Sequence, residues 1–343
     1  MKRGNCKALI KGSAVGRYSV EYENGHILYD TKRLHRPAFP ELFENEKIIM
    51  SKVTGERGLI ASYDNLKYYT DDSLINCLLK FHLSNISTGL QTGRGIKFVD
   101  HERDANQPNG NKTYDRDTII YKDDLKASEK YSLKFILSLI NSRLIGYYYK
   151  KYVSGQLNVF PEHIRKLPVF AVTFTTPLIE REKVLSDIAK LYSNSNYDEL
   201  LSLAAKELAI PRNDTVHDML VFLAEEMLRL RTAQNKEEAG FLRWLELEIG
   251  AKISDLTGKT QLRQYHKCEF NEFIAGLRKN KNKISVSLSR RERLELLEEE
   301  FIKSKSVIGP LKQKTDNTDI LIDNIVYKLY GMTEEEVRII EGR

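Results

Sequence analysis

The stretch YSLKFILSLINSRLIGYYY, residues 131–149, divides the sequence into two parts with different periodicity. Within it, apolar side chains recur at spacings of three, four and seven residues, which places them on one face of a helix. These side chains are Leu133, Ile136, Leu137, Ile140, Leu144 and Ile145. A stripe of this kind is typical of a helix packed against a core. The stretch therefore predicts a buried core helix.

Most of the sequence around this helix, as far as residue 176, reads as short strands. Five apolar, partly alternating runs carry the signal: KIIMSKV (47–53), LIASYD (59–64), GIKFVD (95–100), TIIYKD (118–123) and LPVFAVTF (167–174). Gly55 and Gly58 indicate a turn between the first two runs. Asn24 and Gly25 suit a type I′ turn, which predicts a hairpin between YSVEYE and HILYD. The first region is therefore expected to be strand-rich.

From about residue 178 the sequence becomes mostly helical. Asp214 is placed to cap a helix, Gly331 to close one in the left-handed conformation, and Thr333 with Glu336 to form a capping box. We expect an α+β protein with a strand-rich recognition domain at 1–176, which contains the core helix, and a helical region at 177–343. Within that region we expect an insertion at about 195–315 and closing helices at 316–341.

Composition places the basic character of the chain in its first half. The chain has 343 residues and a net charge of +6, and residues 1–170 carry 27 Lys and Arg against 19 Asp and Glu, whereas residues 171–343 carry 27 against 29. No apolar run is long enough to cross a membrane and no export signal opens the sequence, so the cytoplasm is the expected location. The three cysteines are far apart, which favours reduced thiols.

Several catalytic chemistries lack their motifs. No Asn/Asp/Ser-Pro-Pro-aromatic loop is present to hold an extruded adenine, and no Walker loop or G-x-G-x-x-G turn is present to hold phosphates. The seven histidines have no ligand spacing, so no metal site is expected. Asp117 with Asp124 and Lys126 loosely satisfies a weak nuclease pattern, but such triplets arise by chance in a chain with 48 acidic and 54 basic residues, so a solvated turn before the core helix is the favoured interpretation. No catalytic, cofactor-binding or metal-binding residue is assigned.

Binding to DNA is the remaining interpretation of the basic half. Arg and Lys neutralise phosphates, and Arg, Asn and Gln can hydrogen-bond to base edges. The polar stretch between Gly89 and Arg116 is expected to be an exposed loop that enters a groove of the duplex; its candidate contacts are Arg94, Lys97, Arg103, Asn106, Gln107, Asn109, Asn111, Lys112 and Arg116. Candidates outside the loop are Lys11, Arg17, Arg36, Lys52 and Arg57. A solvated charged surface without DNA contacts is the alternative.

An ordered set of short motifs points to one family. They are Lys11-Gly12, Gly16-Arg17-Tyr18, LHRPA at 34–38, ELF at 41–43, EKII at 46–49, ASYD at 61–64, LINSRLI at 139–145 and LPV at 167–169. This set resembles the C-terminal specificity region of type IIG restriction-modification enzymes with a TaqI-like target recognition domain. The segments IPRND (210–214) and LTGKT (256–260) are similar to an insertion in one branch of that family, whereas Ala14 departs from the Asp that many relatives have.

The resemblance implies that this region reads a short asymmetric site in duplex DNA while other domains perform the chemistry. Those domains, an adenine methyltransferase and a nuclease, are expected outside these 343 residues, either in the same enzyme or in a partner subunit. S-adenosylmethionine and Mg²⁺ would be bound there, so this chain alone is expected to be neither an enzyme nor a cofactor-binding protein. A helical scaffold or interaction subunit of a DNA-modification or defence complex remains the alternative.

Overall fold

The N-terminal region consists of short strands in small sheets. The computed structural model of the protein describes residues 6–34, 38–83, 96–99 and 118–342, with only the backbone at 96–99, 118 and 119. Its strands are β1 (Cys6–Ile10), β2 (Val15–Gly16), β3 (Ser19–Val20), β4 (His26–Leu28), β5 (Lys47–Ser51), β6 (Ala61–Asp64), β7 (Tyr69–Thr70), β8 (Leu74–Cys77), β9 (Ile96–Val99) and β10 (Thr118–Tyr121). The described strands form sheets in the orders β6-β5-β8, β4-β1-β7, β2-β3 and β9-β10.

Helices dominate the chain after β10. They are α1 (Glu41–Glu44), α2 (Lys122–Glu129), α3 (Leu133–Asn141), α4 (Arg143–Tyr148), α5 (Pro161–Ile164), α6 (Leu178–Ser193), α7 (Tyr197–Ala209), α8 (Asn213–Ile249), α9 (Lys259–Arg263), α10 (Phe270–Arg278), α11 (Arg291–Leu329) and α12 (Glu334–Glu341). Gly331 adopts the left-handed conformation, and Thr333 and Glu336 form the predicted capping box before α12. The predicted α+β class, with strands first and helices after, is confirmed.

The central sheet follows the sequence pattern closely. Strand β5 is buried along its whole length and pairs antiparallel with both β6 and β8. The fully buried ammonium of Lys47 forms an ion pair with Asp64 and donates to the Phe43 carbonyl oxygen at 2.7 Å. Gly55 and Gly58 form the predicted turn between β5 and β6, with Gly58 at φ +110°. A buried charge pair of this kind is tolerated because hydrogen bonds satisfy both partners.

The prediction of a hairpin at Asn24 and Gly25 is wrong. Asn24 does adopt the left-handed conformation, but β4 pairs antiparallel with β1, and β3 pairs with β2. The amide of Leu9 donates to the Gly25 carbonyl oxygen at 2.8 Å, and a Cβ on Gly25 would lie 2.5 Å from the Leu9 oxygen. Glycine is therefore needed at this position for the close approach of two backbones. Pairing with β1 prevails because β1 then has a neighbouring strand on each edge.

The core helix is interrupted once, so the single helix implied by the apolar stripe is two helices. Ser142 lies between α3 and α4 with φ −70° and ψ 154°, and its hydroxyl accepts from the Ile145 amide at 3.3 Å. Serine is a favourable N-cap residue, which explains why the second helix starts here. Burial of the stripe is confirmed for Leu133, Leu137, Ile140, Leu144 and Ile145, and Ile136 is half-buried.

The run at 167–174 is not a strand, contrary to the prediction. Its backbone amides donate to side chains: Val172 to the Tyr131 hydroxyl at 2.8 Å and Thr173 to Asn213 Oδ1 at 2.8 Å. Asp214 accepts from the amides of Thr175 and Thr176 at 2.9 and 2.8 Å, so it fastens this linker to the start of α8. Although burial acts in the opposite direction, the hydrogen bonds from Thr176 hold the pKa of Asp214 below its usual value.

The chain divides into two compact units whose limits lie within helices α8 and α11. One unit combines residues Met1–Leu228 with Ile320–Arg343, and the other is Arg229–Asp319. In the first unit, Ile322, Ile325 and Val326 of α11 share one core with Phe135 of α3 and Met50 of β5. The closing helices therefore belong with the strands, whereas the sequence favoured a division near residue 176. The second unit has its own core around Phe241, Tyr265 and Phe301.

Candidate nucleic-acid interface

Most of the predicted DNA contacts lie outside the described residues. These are Arg36, Arg94, Arg103, Asn106, Gln107, Asn109, Asn111, Lys112 and Arg116, and Lys97 is described only through its backbone in β9. Their contact with DNA remains a prediction. The structure places the other four candidates, Lys11, Arg17, Lys52 and Arg57, in two different settings.

Arg17 and Arg57 are directed toward the protein. The guanidinium group of Arg57 forms an ion pair with Asp323 of α11, 266 residues away in the sequence. Arg17 Nη2 donates to the carbonyl oxygen of Asn141 at 2.8 Å. Both side chains therefore have a structural task that the sequence did not reveal, and a role for them in DNA binding remains a prediction.

Asp323 is the centre of this internal arrangement. Its carboxylate is buried and accepts the backbone amide of Arg143 at 2.8 Å, and Arg143 Nε lies 3.4 Å from it. Burial raises the pKa of Asp323 above its usual value, and the nearby arginines Arg57, Arg17 and Arg143 oppose that rise. The contacts of Asp323 with Arg57 and Arg143 thus join three segments that are distant in sequence: the turn before β6, the start of α4 and the end of α11.

Two further contacts fix the central sheet on the core helices. The Asn141 side chain accepts from the Ala61 amide at 3.1 Å and donates to the Ala61 carbonyl oxygen at 3.0 Å, as a neighbouring strand would. A Cβ on Gly146 would lie 2.0 Å from the Arg57 carbonyl oxygen, so the turn at 55–58 touches the backbone of α4. The position of this turn, and of the surface beside it, is thus set by α4.

Lys11 and Lys52 lie on either side of one turn, and Lys11 is exposed. The amide of Gly12 donates to Ser73 Oγ at 2.7 Å, and the amide of Lys52 donates to the Ser73 carbonyl oxygen at 3.0 Å. Both lysines therefore border the turn at 71–73, beside a shallow concavity that Lys11 helps to line. Lys52 Nζ forms an ion pair with the exposed Asp72 at 2.8 Å. Because Asp72 is fully exposed and Lys52 only half-buried, this surface pair is weak, and the ammonium can exchange Asp72 for a phosphate.

A short backbone pairing extends this surface. Val159 donates its amide to the Lys52 carbonyl oxygen at 2.8 Å, Thr54 donates to the Leu157 carbonyl oxygen at 3.0 Å, and Val53 faces Asn158 in an antiparallel bridge. We call the segments 52–54 and 157–159 together the paired rim. Val53, Leu157 and Asn158 face solvent, with Leu157 63% exposed, whereas Val159 is buried in the core.

The segment leading into the paired rim was missed as a candidate site. KKYVSGQLN at 150–158 combines basic, aromatic and amide side chains, of which Lys150, Lys151, Tyr152 and Gln156 are exposed. Lys150 Nζ donates to the Glu56 carbonyl oxygen, which ties the start of the segment to the turn at 55–58. Interleaved basic and aromatic residues were the available sequence signal. It was overlooked because the segment adjoins a strongly predicted core helix.

No group of three His, Cys, Asp or Glu side chains in the described part of the chain comes together in a way that could hold a metal ion. No helix in the described ranges combines the length and the apolar character needed to cross a bilayer.

Comparison with known families identifies two segments. Residues 7–90 match the TaqI-like C-terminal specificity domain, which confirms the resemblance for this part of the chain and indicates the target-recognition region of a restriction-modification enzyme. Residues 214–326 match a domain of unknown function, DUF8810. No curated protein and no solved structure matches the chain.

Proposed function

We propose that this protein is the sequence-reading part of a restriction-modification enzyme and that its strand-rich region reads a duplex DNA target. The observation that carries the proposal is the TaqI-like specificity domain at residues 7–90. Lys11 and Lys52 lie in that domain on an exposed surface, and the paired rim adds amide and apolar side chains beside them. Phosphate-neutralising and base-reading groups are thus available within one surface.

We also propose that the enzyme is of type IIG, with adenine methyltransferase and endonuclease activities that act at the site this chain selects. The catalytic domains would belong to the same enzyme or to a partner subunit, and would bind S-adenosylmethionine and Mg²⁺ themselves. This chain would then supply specificity without catalysis. Such an enzyme would act in the cytoplasm as a defence against phage DNA.

The surface side chains, of which Lys52 is half-buried, suggest two kinds of contact with DNA. Lys11 and Lys52 are suited to phosphates, because an ammonium is a point charge that does not discriminate between bases. Gln156 and Asn158 carry amides, which can form paired hydrogen bonds with adenine in the major groove. The loop candidates between Gly89 and Arg116 remain part of the proposal as further base-reading groups.

Selection from a random duplex library tests the function directly. The full chain is incubated with the library at low salt, and bound duplexes are recovered and sequenced. We expect enrichment of one short asymmetric site, with each mismatch weakening binding by about 1 to 3 kcal/mol. Binding without any enriched sequence, or failure to bind at low salt, would reject sequence recognition.

Lys52 and its partner Asp72 give a matched pair of variants with opposite expected effects. Lys52→Ala should weaken binding to all duplexes alike and reduce the salt slope by about one unit, because one phosphate contact is lost. Asp72→Ala should strengthen binding, because it frees the ammonium from a competing carboxylate. Lys183→Ala, an exposed lysine on α6, is the control. Equal effects of Lys52→Ala and Lys183→Ala would remove Lys52 from the interface.

The alternative function, a scaffold or interaction subunit, is favoured by one observation. An apolar hollow lies between α4 and α12, lined in part by Leu144, Tyr148, Tyr152 and Ile340, and Ile339 at its edge is 55% exposed. Exposed apolar surface of this kind is typical of protein contacts. A chain that fails the library selection but forms a stable complex with the catalytic subunit would fit this second function.

A further inference from the structure

The helical unit at 229–319 carries a concentration of positive charge that the composition of the C-terminal half conceals. Residues 171–343 have a net charge of −2, but residues 229–319 have 19 Lys and Arg against 14 Asp and Glu. Most of the excess lies between residues 250 and 293, where eleven Lys and Arg stand against four Asp and Glu, a net charge of +7. The acidic residues of the half belong mainly to the flanking helices.

Folding brings the basic segments to one end of this unit. The buried side chain of Asn280, just after α10, accepts from the Thr257 amide at 2.7 Å and donates to the Thr257 and Gly276 carbonyl oxygens, both at 3.0 Å. Lys283 Nζ donates to the Asp255 carbonyl oxygen at 2.8 Å. The turn at 250–258 and the segment at 278–283 therefore form one continuous surface.

The start of α11 joins the same end. Ser285 donates its amide to the Ile249 carbonyl oxygen at 2.8 Å and its hydroxyl to the Gly250 carbonyl oxygen at 3.2 Å. Arg293 forms an ion pair with Glu248, the residue before Ile249 in α8. Because the chain passes from α10 to α11 through this point, the arginines at 290 and 291 lie near the C-terminal end of α8.

Most cationic side chains of this surface are exposed and have no acidic partner within the described residues, whereas Arg291 and Arg293 pair with Glu295 and Glu248. We define the basic end by seven of them: Lys252, Lys259, Arg263, Arg278, Lys279, Lys281 and Arg290. The acidic residues between 250 and 293 are four, Asp255, Glu269, Glu272 and Glu292, against eleven Lys and Arg. The segment therefore carries a clear excess of positive charge, which attracts anions.

We propose that the basic end binds the phosphate backbone of duplex DNA, at a place separate from the sequence-reading surface. Clustered exposed Lys and Arg without acidic partners are what backbone binding requires. The aromatic residues of the segment, Tyr265, Phe270 and Phe273, are buried or half-buried, so no exposed ring offers stacking for the bases of a single strand. Duplex DNA is thus favoured over single-stranded DNA or RNA.

This proposal goes beyond sequence recognition and does not depend on it. A backbone contact outside the recognition site would add affinity and salt dependence for every sequence equally. It also assigns a function to the segment 214–326, which matches the domain of unknown function. This segment would bind the DNA backbone, and the strand-rich domain would read the sequence.

The test uses the full chain and a duplex of about 30 base pairs that lacks any selected site, with binding followed by fluorescence anisotropy between about 50 and 200 mM salt. In the variant Arg278→Gln/Lys279→Gln/Lys281→Gln, three charges of the basic end are removed. We expect the slope of log K against log salt to fall in magnitude by about 2 to 3 units, since each phosphate contact contributes about 0.9.

Two control variants make the result specific to the basic end. Lys236→Gln/Lys303→Gln/Lys312→Gln removes the same charge from other exposed positions of the same unit. Of these, Lys236 lies about 18 Å along α8 from Glu248. It should leave the slope nearly unchanged. Arg278→Lys/Lys279→Arg/Lys281→Arg keeps the charge and should keep the wild-type slope, which also checks that the segment tolerates substitution.

Several outcomes would overturn the proposal. Equal slopes for the glutamine variant and the wild type would do so, as would an equal loss in the three-lysine control, because the effect would then be one of net charge. The proposal would also be overturned if the glutamine variant bound RNA or a protein more weakly than the wild type does but bound duplex DNA equally well. A chain that prefers no sequence but shows the expected slope change would reject the proposed function and leave this proposal standing.

Discussion

Replacing Asp323 with alanine should lower the free energy of unfolding by about 3 kcal/mol, near the lower end of the range for breaking a buried ion pair. The carboxylate is 3% exposed and meets the Arg57 guanidinium and the Arg143 amide. Its removal takes away the carboxylate that pairs with the largely buried Arg57 and leaves the Arg143 amide without this acceptor. The loss should appear in urea unfolding of the full chain as a lower midpoint.

A double-mutant cycle separates the ion pair from the loss of packing. The double variant Arg57→Ala/Asp323→Ala should lose less free energy of unfolding than the two single variants lose in sum. Once one partner of the ion pair is gone, removing the other no longer leaves a charge without the partner it had. Asp316→Ala, at an exposed position of the same helix, is the control and should change stability by no more than about 0.5 kcal/mol. Additive single effects would mean that Asp323 and Arg57 are not coupled.

Replacing Gly146 with alanine should destabilise the protein by about 3 kcal/mol or more, at the upper end of the range for overpacking. The added Cβ would lie 2.0 Å from the Arg57 carbonyl oxygen and 3.4 Å from Gly58 Cα. Both neighbours are backbone atoms, so neither can turn aside as a flexible side chain would. The helix α4 and the turn at 55–58 must separate, and the paired rim beside the turn would move with it.

Gly240 provides a control for the same chemical change. It lies within α8, and a Cβ added there meets no atom within 4 Å. Gly240→Ala should therefore stabilise the protein by about 0.5 to 1 kcal/mol, since alanine restricts the unfolded chain and favours a helix. Opposite signs for the two variants, measured by thermal and urea unfolding, are expected. Equal small shifts in both would contradict the close contact between Gly146 and the turn.

Part of the candidate interface was predictable and part was not. The surface positions of Lys11 and Lys52 could be predicted from the sequence, because lysines are rarely fully buried. Arg17 and Arg57 looked the same in the sequence, yet they are directed inward by Asn141 and Asp323. The orientation of a charged side chain depends on the group that it pairs with, and the partners of Arg17 and Arg57 lie 124 and 266 residues away in the sequence.

What the sequence alone determined follows from interactions between near neighbours. The apolar stripe of the core helices, the strands at 47–51 and 61–64, Gly331 and the capping box at Thr333 were all predicted, because periodicity and capping act over a few residues. The motifs of the specificity domain also belong to the sequence, and so does the net charge of +7 between residues 250 and 293.

Only the tertiary structure decided which distant segments meet. The pairing of β4 with β1, the use of Asn141 as a partner for Ala61, the contact of Gly146 with the turn at 55–58 and the gathering of the basic end around Asn280 have no local signature. Each satisfies a backbone group or a charge by means of a residue far along the chain. Such partners are chosen by the packing of the whole core, because burial makes an unsatisfied polar group costly wherever in the sequence its partner lies.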